Sequence, residues 1–434
     1  MTRLLQVEGG RPLNGEVRTA GSKNAALPIM AACLLTREPC RLRNVPFLAD
    51  VDNALEILAG MGVKVTREDA DVSLDASVEP SSEVPQDRAR RMRASILFMG
   101  PLLARTGRAV VPKPGGDDIG MRRVDQHVYG LVQLGARVEE DHSSFVCTAE
   151  NGLRGAEINL DMPTVTGTEN LLMAATIAEG RTTIINAARE PHVADLAAAL
   201  KSMGAEIRGA GTDRIEIEGG EKLHGIDHRV TSDYLEAGTY AIAAAAAGGD
   251  VYITDAPVED LGSLVLKLRH AGVDVETGEN WLRVKREGPL TPVDLITWTH
   301  PGFATDLQPQ YTALMTQARG TSVIQEFLFE NRFSYIGELR RMGAEIELAP
   351  HGRSIRVAGP TGLHGAGVAV PDIRSGAALL IAALCAQGTS RLSGVEHLER
   401  GYEDMTGKLS RLGSQVEEVQ GDPDPVGGPP AAME

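Results

Sequence analysis

Residues 55–65 read LEILAGMGVKV, and this stretch contains the pattern on which the fold prediction depends. Apolar residues at helical spacing lead to Gly62, after which apolar and polar residues alternate as they do in a strand. A glycine in this place can adopt the left-handed conformation that ends a helix. The stretch therefore predicts a helix, a tight turn at the glycine and a strand in direct succession.

The same pattern occurs six times along the chain, and successive glycines are 68 to 73 residues apart. The six glycines are Gly62, Gly135, Gly204, Gly272, Gly343 and Gly413. A repeat of this length is longer than the roughly 20 to 50 residues typical of solenoid repeats. We therefore predict six compact α/β units rather than a solenoid.

A second element recurs between these glycines. It is a helix of mostly small apolar residues, such as ENLLMAATIAEG at 169–180, followed by a strand such as RTTIINA at 181–187. A helix that is apolar on nearly all sides is expected to be buried. Each repeat therefore contains two helices and several strands, which places the fold in the α/β class.

Composition and charge exclude several classes of protein. The chain has 434 residues and a formal net charge of −16, and only 4% of its residues are aromatic, which argues against a nucleic-acid partner. No stretch approaches the roughly 18 apolar residues of a membrane span, and the first residues lack the apolar core of a signal peptide. The four cysteines form no CxxC pair. We therefore expect free thiols, no zinc site and a cytoplasmic location.

Charged residues directly precede several of the apolar helices. Lys23, Asp306 and Asp372 with Arg374 are in such positions. Helix starts expose unpaired N–H groups, so a nearby cation can complete an anion site. The alternative is that Ser22, Asp306 and Asp372 simply cap helices, which is the stronger interpretation for any single position. Recurrence in several repeats favours a shared ligand site, because a capping aspartate needs no arginine two residues later.

Two further stretches are harder to explain by structure alone. KPGGDDIGMRRVDQH at 113–127 surrounds Asp117 and Asp118 with glycines and continues into two arginines, which is typical of a mobile loop that closes over a ligand. An exposed surface turn is the alternative, and from composition alone it is the stronger interpretation. FLFENRFSY at 327–335 places charged residues between aromatic ones. These charged residues could belong to a ligand site, or they could equally form an ordinary surface ion pair at a helix start.

Eight motifs occur in an order typical of one family: GSKNAALPI, MRASI, PGGDDIG, AAREP, PGFATDLQPQ, FENRF, DIRSGAAL and ERGYE. With the sixfold repeat, they resemble the UDP-N-acetylglucosamine 1-carboxyvinyltransferase family from Gly9 to about Val419. The sister family that enolpyruvylates shikimate 3-phosphate shares the fold, but PGGDDIG and FENRF are more similar to the amino-sugar family. The resemblance implies two similar domains, each of three βαβαββ units. Their predicted bounds are 21–231, with a mobile lid loop at 113–123, and 1–20 plus 232–420, with a disordered tail at 421–434.

The resemblance also implies an activity. The enolpyruvyl group of phosphoenolpyruvate would be transferred to the 3-hydroxyl of UDP-N-acetylglucosamine, and phosphate would be released. This reaction is the first committed step of peptidoglycan synthesis, and so of cell-wall biogenesis, cell shape and cell division. The two substrates are the only partners implied, and neither a cofactor nor a metal is. Addition followed by elimination needs an acid, a base and cationic groups that bind the substrate anions.

Residue roles that the resemblance implies fall into four sets. The catalytic set is Asp117, Asp306, Lys23 and Arg400, with Asp306 accepting the sugar hydroxyl proton. Phosphoenolpyruvate would be bound by Lys23, Asn24, Arg122 and Arg400. UDP-N-acetylglucosamine would be bound by Arg93, Arg122, Arg123, Val124, Asp125, Gln126, Met162, Pro163, Thr164, Val165, Asp306 and Leu328. Supporting residues would be Glu330, Asn331, Arg332, Asp372 and Arg374.

The sequence departs from the family pattern at several positions. Asp117 stands where most members have a cysteine, so the acid is a carboxyl group, and fosfomycin, which alkylates that cysteine, is not expected to act. Arg123, Thr164 and Thr166 stand where proline, serine and glycine are usual. Two alternatives therefore stay open: a related enolpyruvyl transferase with another nucleotide sugar, and a non-catalytic regulatory member. The complete set of retained charged residues argues against the second.

Overall fold

The computed structural model describes residues 2–220 and 222–421, which form two compact units. The described residues of unit 1 fall within Met1–Thr19, Asp117–Met121 and Asp233–Glu434. Those of unit 2 fall within Ala20–Gly116 and Arg122–Ser232. The predicted tail at 421–434 lies outside the described residues except for Gly421, which ends the last strand.

Strands and helices alternate along both units. The strands are β1 (Thr2–Glu8), β2 (Leu13–Arg18), β3 (Cys40–Arg43), β4 (Lys64–Glu68), β5 (Asp71–Asp75), β6 (Arg108–Pro112), β7 (Arg137–Glu140), β8 (Ser144–Thr148), β9 (Glu157–Asn159), β10 (Gly180–Ile185), β11 (Glu206–Arg208), β12 (Arg214–Gly219), β13 (Asp227–Arg229), β14 (Gly249–Thr254), β15 (Asp274–Thr277), β16 (Trp281–Arg286), β17 (Leu295–Ile296), β18 (Gly320–Gln325), β19 (Glu345–Leu348), β20 (Ser354–Gly359), β21 (Gly367–Ala369), β22 (Thr389–Ser393) and β23 (Gln415–Gly421). The α-helices are α1 (Lys23–Ala32), α2 (Ala49–Gly60), α3 (Gln86–Ala89), α4 (Met99–Thr106), α5 (Asp125–Gln133), α6 (Val165–Ile177), α7 (Pro191–Ser202), α8 (Tyr234–Ala247), α9 (Gly262–His270), α10 (Gln308–Met315), α11 (Ile336–Arg341), α12 (Ile373–Cys385), α13 (Glu396–Glu399) and α14 (Met405–Arg411). Short 3-10 turns cover Cys33–Leu35, Arg93–Phe98, Val258–Leu261 and Thr305–Leu307.

Each unit contains three small sheets with a common strand order. Unit 1 has β15-β16-β14-β2, β17-β18-β20-β19 and β21-β22-β1-β23, and unit 2 has β13-β3-β5-β4, β11-β12-β10-β9 and β6-β8-β7. In every four-stranded sheet one edge strand pairs in parallel with its neighbour and the other pairs are antiparallel. The three-stranded sheet has a single parallel bridge, Glu83 with Val110, in place of that edge strand. The predicted α/β class with a sixfold repeat is confirmed.

The six repeat glycines end helices as the sequence predicts. All six have positive φ angles, between 86° and 104°. After α2, the N–H of Gly62 donates to the carbonyl of Ala59, and the N–H of Val63 donates to that of Leu58, both at 3.0 Å. The same pair of bonds closes the other five helices. This is the Schellman arrangement, which satisfies the last carbonyls of a helix and needs a left-handed residue.

Replacement of Gly413 by alanine is expected to lower the free energy of unfolding by about 1 to 2 kcal/mol, because a side chain in the left-handed region is strained. Gly413 has a φ of 92°, and a Cβ there would meet no atom within 4 Å, so only backbone strain is tested. Gly337→Ala is the matched control, since Gly337 lies in α11 with equally open space. It should be neutral or stabilising by up to about 1 kcal/mol. Equal losses in the two variants, measured by chemical denaturation, would contradict this explanation.

The small-residue helices form the centre of each unit. In unit 1, α8, α10 and α12 contact one another, and only Ala247 and Cys385 among their residues are not buried. In unit 2, α4 packs against α6, and α1 contacts the turn Arg93–Phe98. No helix in the described ranges is long and apolar enough to cross a membrane. The first residues of α1, α10 and α12 carry or adjoin the predicted site residues, so the core fixes where these side chains begin.

Candidate active site

The predicted site residues fall into two groups, one in each unit. Unit 1 holds Asp117, Asp306, Leu328, Glu330, Asn331, Arg332, Asp372, Arg374 and Arg400. Unit 2 holds Lys23, Asn24, Arg93, Arg122, Arg123, Val124, Asp125, Gln126, Met162, Pro163, Thr164 and Val165.

Asp306 lies in the 3-10 turn that leads into α10, and its carboxylate is held by two arginines. Arg332 Nη2 donates to Asp306 Oδ1, and Arg374 Nε donates to Asp306 Oδ2 at 3.1 Å. The two arginine side chains are only 2% and 6% exposed, whereas that of Asp306 is 29% exposed. The cap positions of the turn and of α10 are Ala304 and Leu307, which have no polar side chain. The carboxylate thus has specific cationic partners and an open side.

Arg374 is positioned from several directions at the start of α12. Its guanidinium lies over the ring of Tyr402, 5.2 Å from the centroid. The hydroxyl of Tyr402 accepts a hydrogen bond from Gln310 Nε2 at 3.0 Å. Burial opposes the charge on Arg374, yet its pKa is raised because Tyr402 and Asp306 stabilise the cation. Arg374 is therefore a fixed positive charge beside Asp306.

Asp372 has the capping role that the alternative interpretation describes. Its Oδ1 accepts from the N–H groups of Arg374 and Ser375, both at 3.0 Å. Ser22 similarly caps α1, accepting from the N–H of Ala25 at 3.4 Å. Ser22 and Asp372 are therefore helix caps, whereas Asp306 forms ion pairs instead.

Asp117 lies beside Arg400 within unit 1. Arg400 Nη1 donates to Asp117 Oδ1 at 2.5 Å, and the two side chains are 18% and 13% exposed, respectively. His397, one helical turn before Arg400, has its Nδ1 4.0 Å from the same carboxylate oxygen. Asp117, the predicted acid, and Arg400, the predicted phosphoenolpyruvate ligand, are therefore brought together.

The FENRF motif contacts the residues that follow Asp117. Asn331 Nδ2 donates to the carbonyl of Asp118 at 3.0 Å, and the N–H of Asn331 donates to that of Ile119 at 3.1 Å. The N–H of Met121 donates to Glu330 Oε2 at 3.2 Å. Leu328, in the same stretch, is half-buried, and its N–H donates to Glu326 Oε1 at 2.8 Å.

In unit 2, Lys23 begins α1 and forms a buried ion pair. Its Nζ lies 3.1 Å from Asp50 Oδ2, and the side chains are 10% and 9% exposed. Asn24, the next residue of α1, is half-buried. The ammonium group is therefore held at a helix N-terminus, where the helix dipole also favours anions.

Arg93 and Arg122 are neighbours in unit 2, since Arg93 Nη2 donates to the carbonyl of Arg122. Burial and the charge of Arg122 lower the pKa of Arg93 to about 10. Burial and the charge of Arg93 lower the pKa of His127 to about 3, so His127 is neutral at pH 7. Two adjacent guanidiniums repel each other, and a bound anion relieves that repulsion.

Gln126 connects the two stretches predicted to bind the nucleotide sugar. Its Oε1 accepts from the N–H of Asp161 at 2.9 Å, and its Nε2 donates to Asp161 Oδ2 at 3.3 Å. This places 122–126, where Arg123 and Asp125 are exposed, next to 162–165, where Met162 is exposed. Among the remaining members of these stretches, Val124, Pro163, Thr164 and Val165 are half-buried.

Sequence reasoning missed several residues that support these groups. Asn170 Nδ2 donates to His127 Nδ1 at 3.0 Å, so Nε2 carries the proton and donates to Thr166 Oγ1 at 3.0 Å. His127 directly follows Gln126, and a histidine next to a predicted ligand was the available signal. Tyr402 lies in the ERGYE motif, two residues after Arg400, and gave a similar signal. Asp50 gave none, because its partner Lys23 is 27 residues away. Among the described residues, no three His, Cys, Asp or Glu side chains are grouped so that they could hold a metal ion.

Comparison with known proteins gives consistent results. The profile of EPSP synthase (3-phosphoshikimate 1-carboxyvinyltransferase) matches residues 7–409. A UDP-N-acetylglucosamine 1-carboxyvinyltransferase of Sorangium cellulosum (strain So ce56) is 49% identical over 419 residues, which cover 96% of this chain and 99% of the relative. One from Solibacter usitatus (strain Ellin6076) is 48% identical over 415 residues, which cover 95% of this chain and 99% of that relative.

A solved structure of an enolpyruvyl transferase is also similar to this chain. The crystal structure of the enolpyruvyl transferase NikO from Streptomyces tendae superposes with a TM-score of 0.85 at 26% identity. The match covers 96% of this chain and 99% of that structure. With the profile match over residues 7–409 and two nearly half-identical relatives of almost equal length, the chain belongs to the EPSP synthase family of enolpyruvyl transferases.

Proposed function

We propose that this chain transfers the enolpyruvyl group of phosphoenolpyruvate to the 3-hydroxyl of UDP-N-acetylglucosamine and releases phosphate. Two relatives that are 49% and 48% identical over almost their whole length carry the name of this activity. The observation that carries the proposal is the pair of carboxylates in unit 1, each bonded to arginine: Asp306 to Arg332 and Arg374, and Asp117 to Arg400. One carboxyl group can give a proton while the other takes one.

The first half of the reaction is an addition. In its protonated form, the carboxyl group of Asp117 gives its proton to the methylene carbon of phosphoenolpyruvate, and the electron pair of the double bond forms the new C–H bond. The sugar 3-oxygen forms a bond to the adjacent carbon while Asp306 takes the hydroxyl proton. The resulting tetrahedral carbon carries methyl, carboxylate, phosphate and sugar groups.

The second half is an elimination that returns a proton to Asp117 and removes the proton from Asp306. The methyl group returns a proton to the Asp117 carboxylate, its electron pair forms the new double bond, and the bond from carbon to the phosphate oxygen breaks. The departing phosphate takes the proton held by Asp306. No cofactor takes part, and both carboxyl groups return to their starting forms.

Cationic side chains provide the binding energy for the substrate anions in this scheme. Lys23, Asn24, Arg122 and Arg400 would bind phosphoenolpyruvate, whose carboxylate and phosphate suit guanidinium and ammonium donors. The stretches 122–126 and 162–165, together with Arg93 and Leu328, would bind the nucleotide sugar. Arg400 Nη1 donates to Asp117 Oδ1 at 2.5 Å, so its guanidinium lies beside the proposed acid.

Another acceptor sugar is not favoured. The two relatives carry the same name at 49% and 48% identity. One unusual residue also has a partner inside the protein, because the Thr166 hydroxyl bonds to His127 at 3.0 Å. We further infer that the enzyme acts in the cytoplasm, since its four cysteines are free thiols. Its product would enter peptidoglycan synthesis and so serve cell-wall growth, cell shape, division and the cell cycle.

Phosphate is expected to appear only when both substrates are present, because addition to the double bond needs the sugar hydroxyl. The measurement is phosphate release from phosphoenolpyruvate with UDP-N-acetylglucosamine, with each omitted in turn. UDP-N-acetylgalactosamine provides the control for the acceptor. Equal release without any nucleotide sugar would reject the transferase in favour of a phosphatase.

A further inference from the structure

The lid loop, residues 113–123, is divided between the units. Asp117–Met121 groups with unit 1, whereas the residues on both sides of this segment group with unit 2. In a glycine-rich loop, conformational freedom is large, and any fixed position of the backbone requires specific contacts. The contacts of the segment therefore show what holds Asp117 in place.

Glu330 and Asn331 provide three hydrogen bonds to the segment. The Asn331 side chain donates to the carbonyl of Asp118 at 3.0 Å, and its backbone N–H donates to that of Ile119 at 3.1 Å. Glu330 Oε2 accepts from the N–H of Met121 at 3.2 Å. The three consecutive peptide groups between Asp118 and Met121 are thus each hydrogen-bonded to one of two adjacent residues of FENRF.

The segment also fits closely against these residues. Gly120 has a φ of 127°, and a Cβ there would lie 2.2 Å from Glu330 Oε2 and 3.0 Å from the Glu330 nitrogen. Ile119 is only 5% exposed, so its side chain is buried at the same place. Glycine at 120 and burial at 119 both indicate a position built into the sequence rather than a chance surface contact.

We propose that Glu330 and Asn331 are positioning residues that hold the segment 118–121 on unit 1 and so keep the Asp117 carboxylate beside Arg400. The inference rests on the proposed function, because it assigns the held loop to delivery of the acid Asp117. Asp117 is the residue directly before the segment, and its Oδ1 is 2.5 Å from Arg400 Nη1. When the segment is released, the acid spends less time at the reacting carbon, and turnover falls in proportion.

The test uses the full chain with Asn331→Ala, Glu330→Ala and the double variant. Each lost hydrogen bond is expected to lower kcat by about 3- to 10-fold, and the double variant by about 10- to 100-fold. Glu330→Gln retains an acceptor oxygen and is expected to recover most of the loss seen in Glu330→Ala. Glu330→Gln also loses the 3.8 Å ion pair between Glu330 and Arg353. The side chains of Arg353 and Glu330 are 42% and 51% exposed, so this pair contributes little to stability. Glu279→Ala, an exposed residue of unit 1, is the matched control.

A second measurement reports the loop without using activity. Trypsin cleaves after Arg122 and Arg123, and release of the segment should increase the initial cleavage rate there in the double variant and in Gly120→Ala, with an unchanged melting temperature. Loop cleavage in these variants equal to that of the wild type and Glu279→Ala would overturn the positioning role. Failure of the wild type to turn over phosphoenolpyruvate, with loop cleavage still increased in the variants, would instead remove the proposed function and leave the contact intact.

Discussion

Asp306→Asn is expected to lower turnover by about 10²- to 10⁴-fold, the usual loss on removal of a general base. The amide is nearly isosteric, and its oxygen can still accept a hydrogen bond from one of the two arginines, so the fold should be retained. It cannot accept a proton in the way that the carboxylate does. The measurement is kcat for phosphate release together with the melting temperature.

Asp404→Asn provides the matched control for this substitution. Asp404 caps α14 by accepting from the N–H of Gly407 at 3.2 Å, and asparagine caps about as well as aspartate. Its φ of 46° is also one that asparagine adopts. If Asp306→Asn turned over as fast as Asp404→Asn, Asp306 would have a structural role only.

The unmodified protein is expected to resist inactivation by fosfomycin in the presence of UDP-N-acetylglucosamine. The family resemblance assigns Asp117 to the position of the cysteine that fosfomycin alkylates, and a carboxylate is a far weaker nucleophile toward an epoxide than a thiolate. The cysteines that are present are poorly placed to react: Cys33, Cys40 and Cys147 are buried, and burial raises the pKa of both Cys147 and Cys385 to about 12. Asp117→Cys should restore time-dependent inactivation, and intact mass should show one adduct.

Two further variants make this test specific. Asp118→Cys places a thiol one residue away and should remain insensitive, because the neighbouring side chain does not share the contact with Arg400. Asp117→Ala removes the proton donor and should depress turnover strongly. A covalent adduct on the unmodified chain, or full activity of Asp117→Ala, would show that the role assigned to Asp117 is wrong.

The repeat was predictable from sequence because its signal is local. A Schellman turn needs a left-handed residue two positions after the helix, so Gly62 and its five equivalents mark the unit directly. Sheet order was not predictable in the same way. β13 pairs with β3, and Asp227 lies opposite Arg41, although the two strands are far apart in sequence. No local pattern records such a pairing.

The site was only partly predictable, for a related reason. The sequence shows that an aspartate stands at a helix start, but it does not show whether the side chain caps the helix or forms an ion pair. Asp306 and Asp372 both stand before an apolar helix, yet Asp372 bonds to backbone N–H groups while Asp306 bonds to arginines 26 and 68 residues away. The resemblance identified these arginines as supporting residues, and their pairing came from the fold.

The place of β1 has a consequence for synthesis of the chain. β1 lies between β22 and β23, with Glu8 opposite both Thr389 and Gln415. Translation proceeds at roughly 5 to 20 residues per second, so β1 leaves the ribosome roughly 20 to 80 seconds before its first partner exists. Throughout that interval its backbone groups are open to other chains. The charged side chains of Arg3 and Glu8, one near each end, are the kind of residues that discourage such pairing, and a chain interrupted before β22 would leave this strand as a site of aggregation.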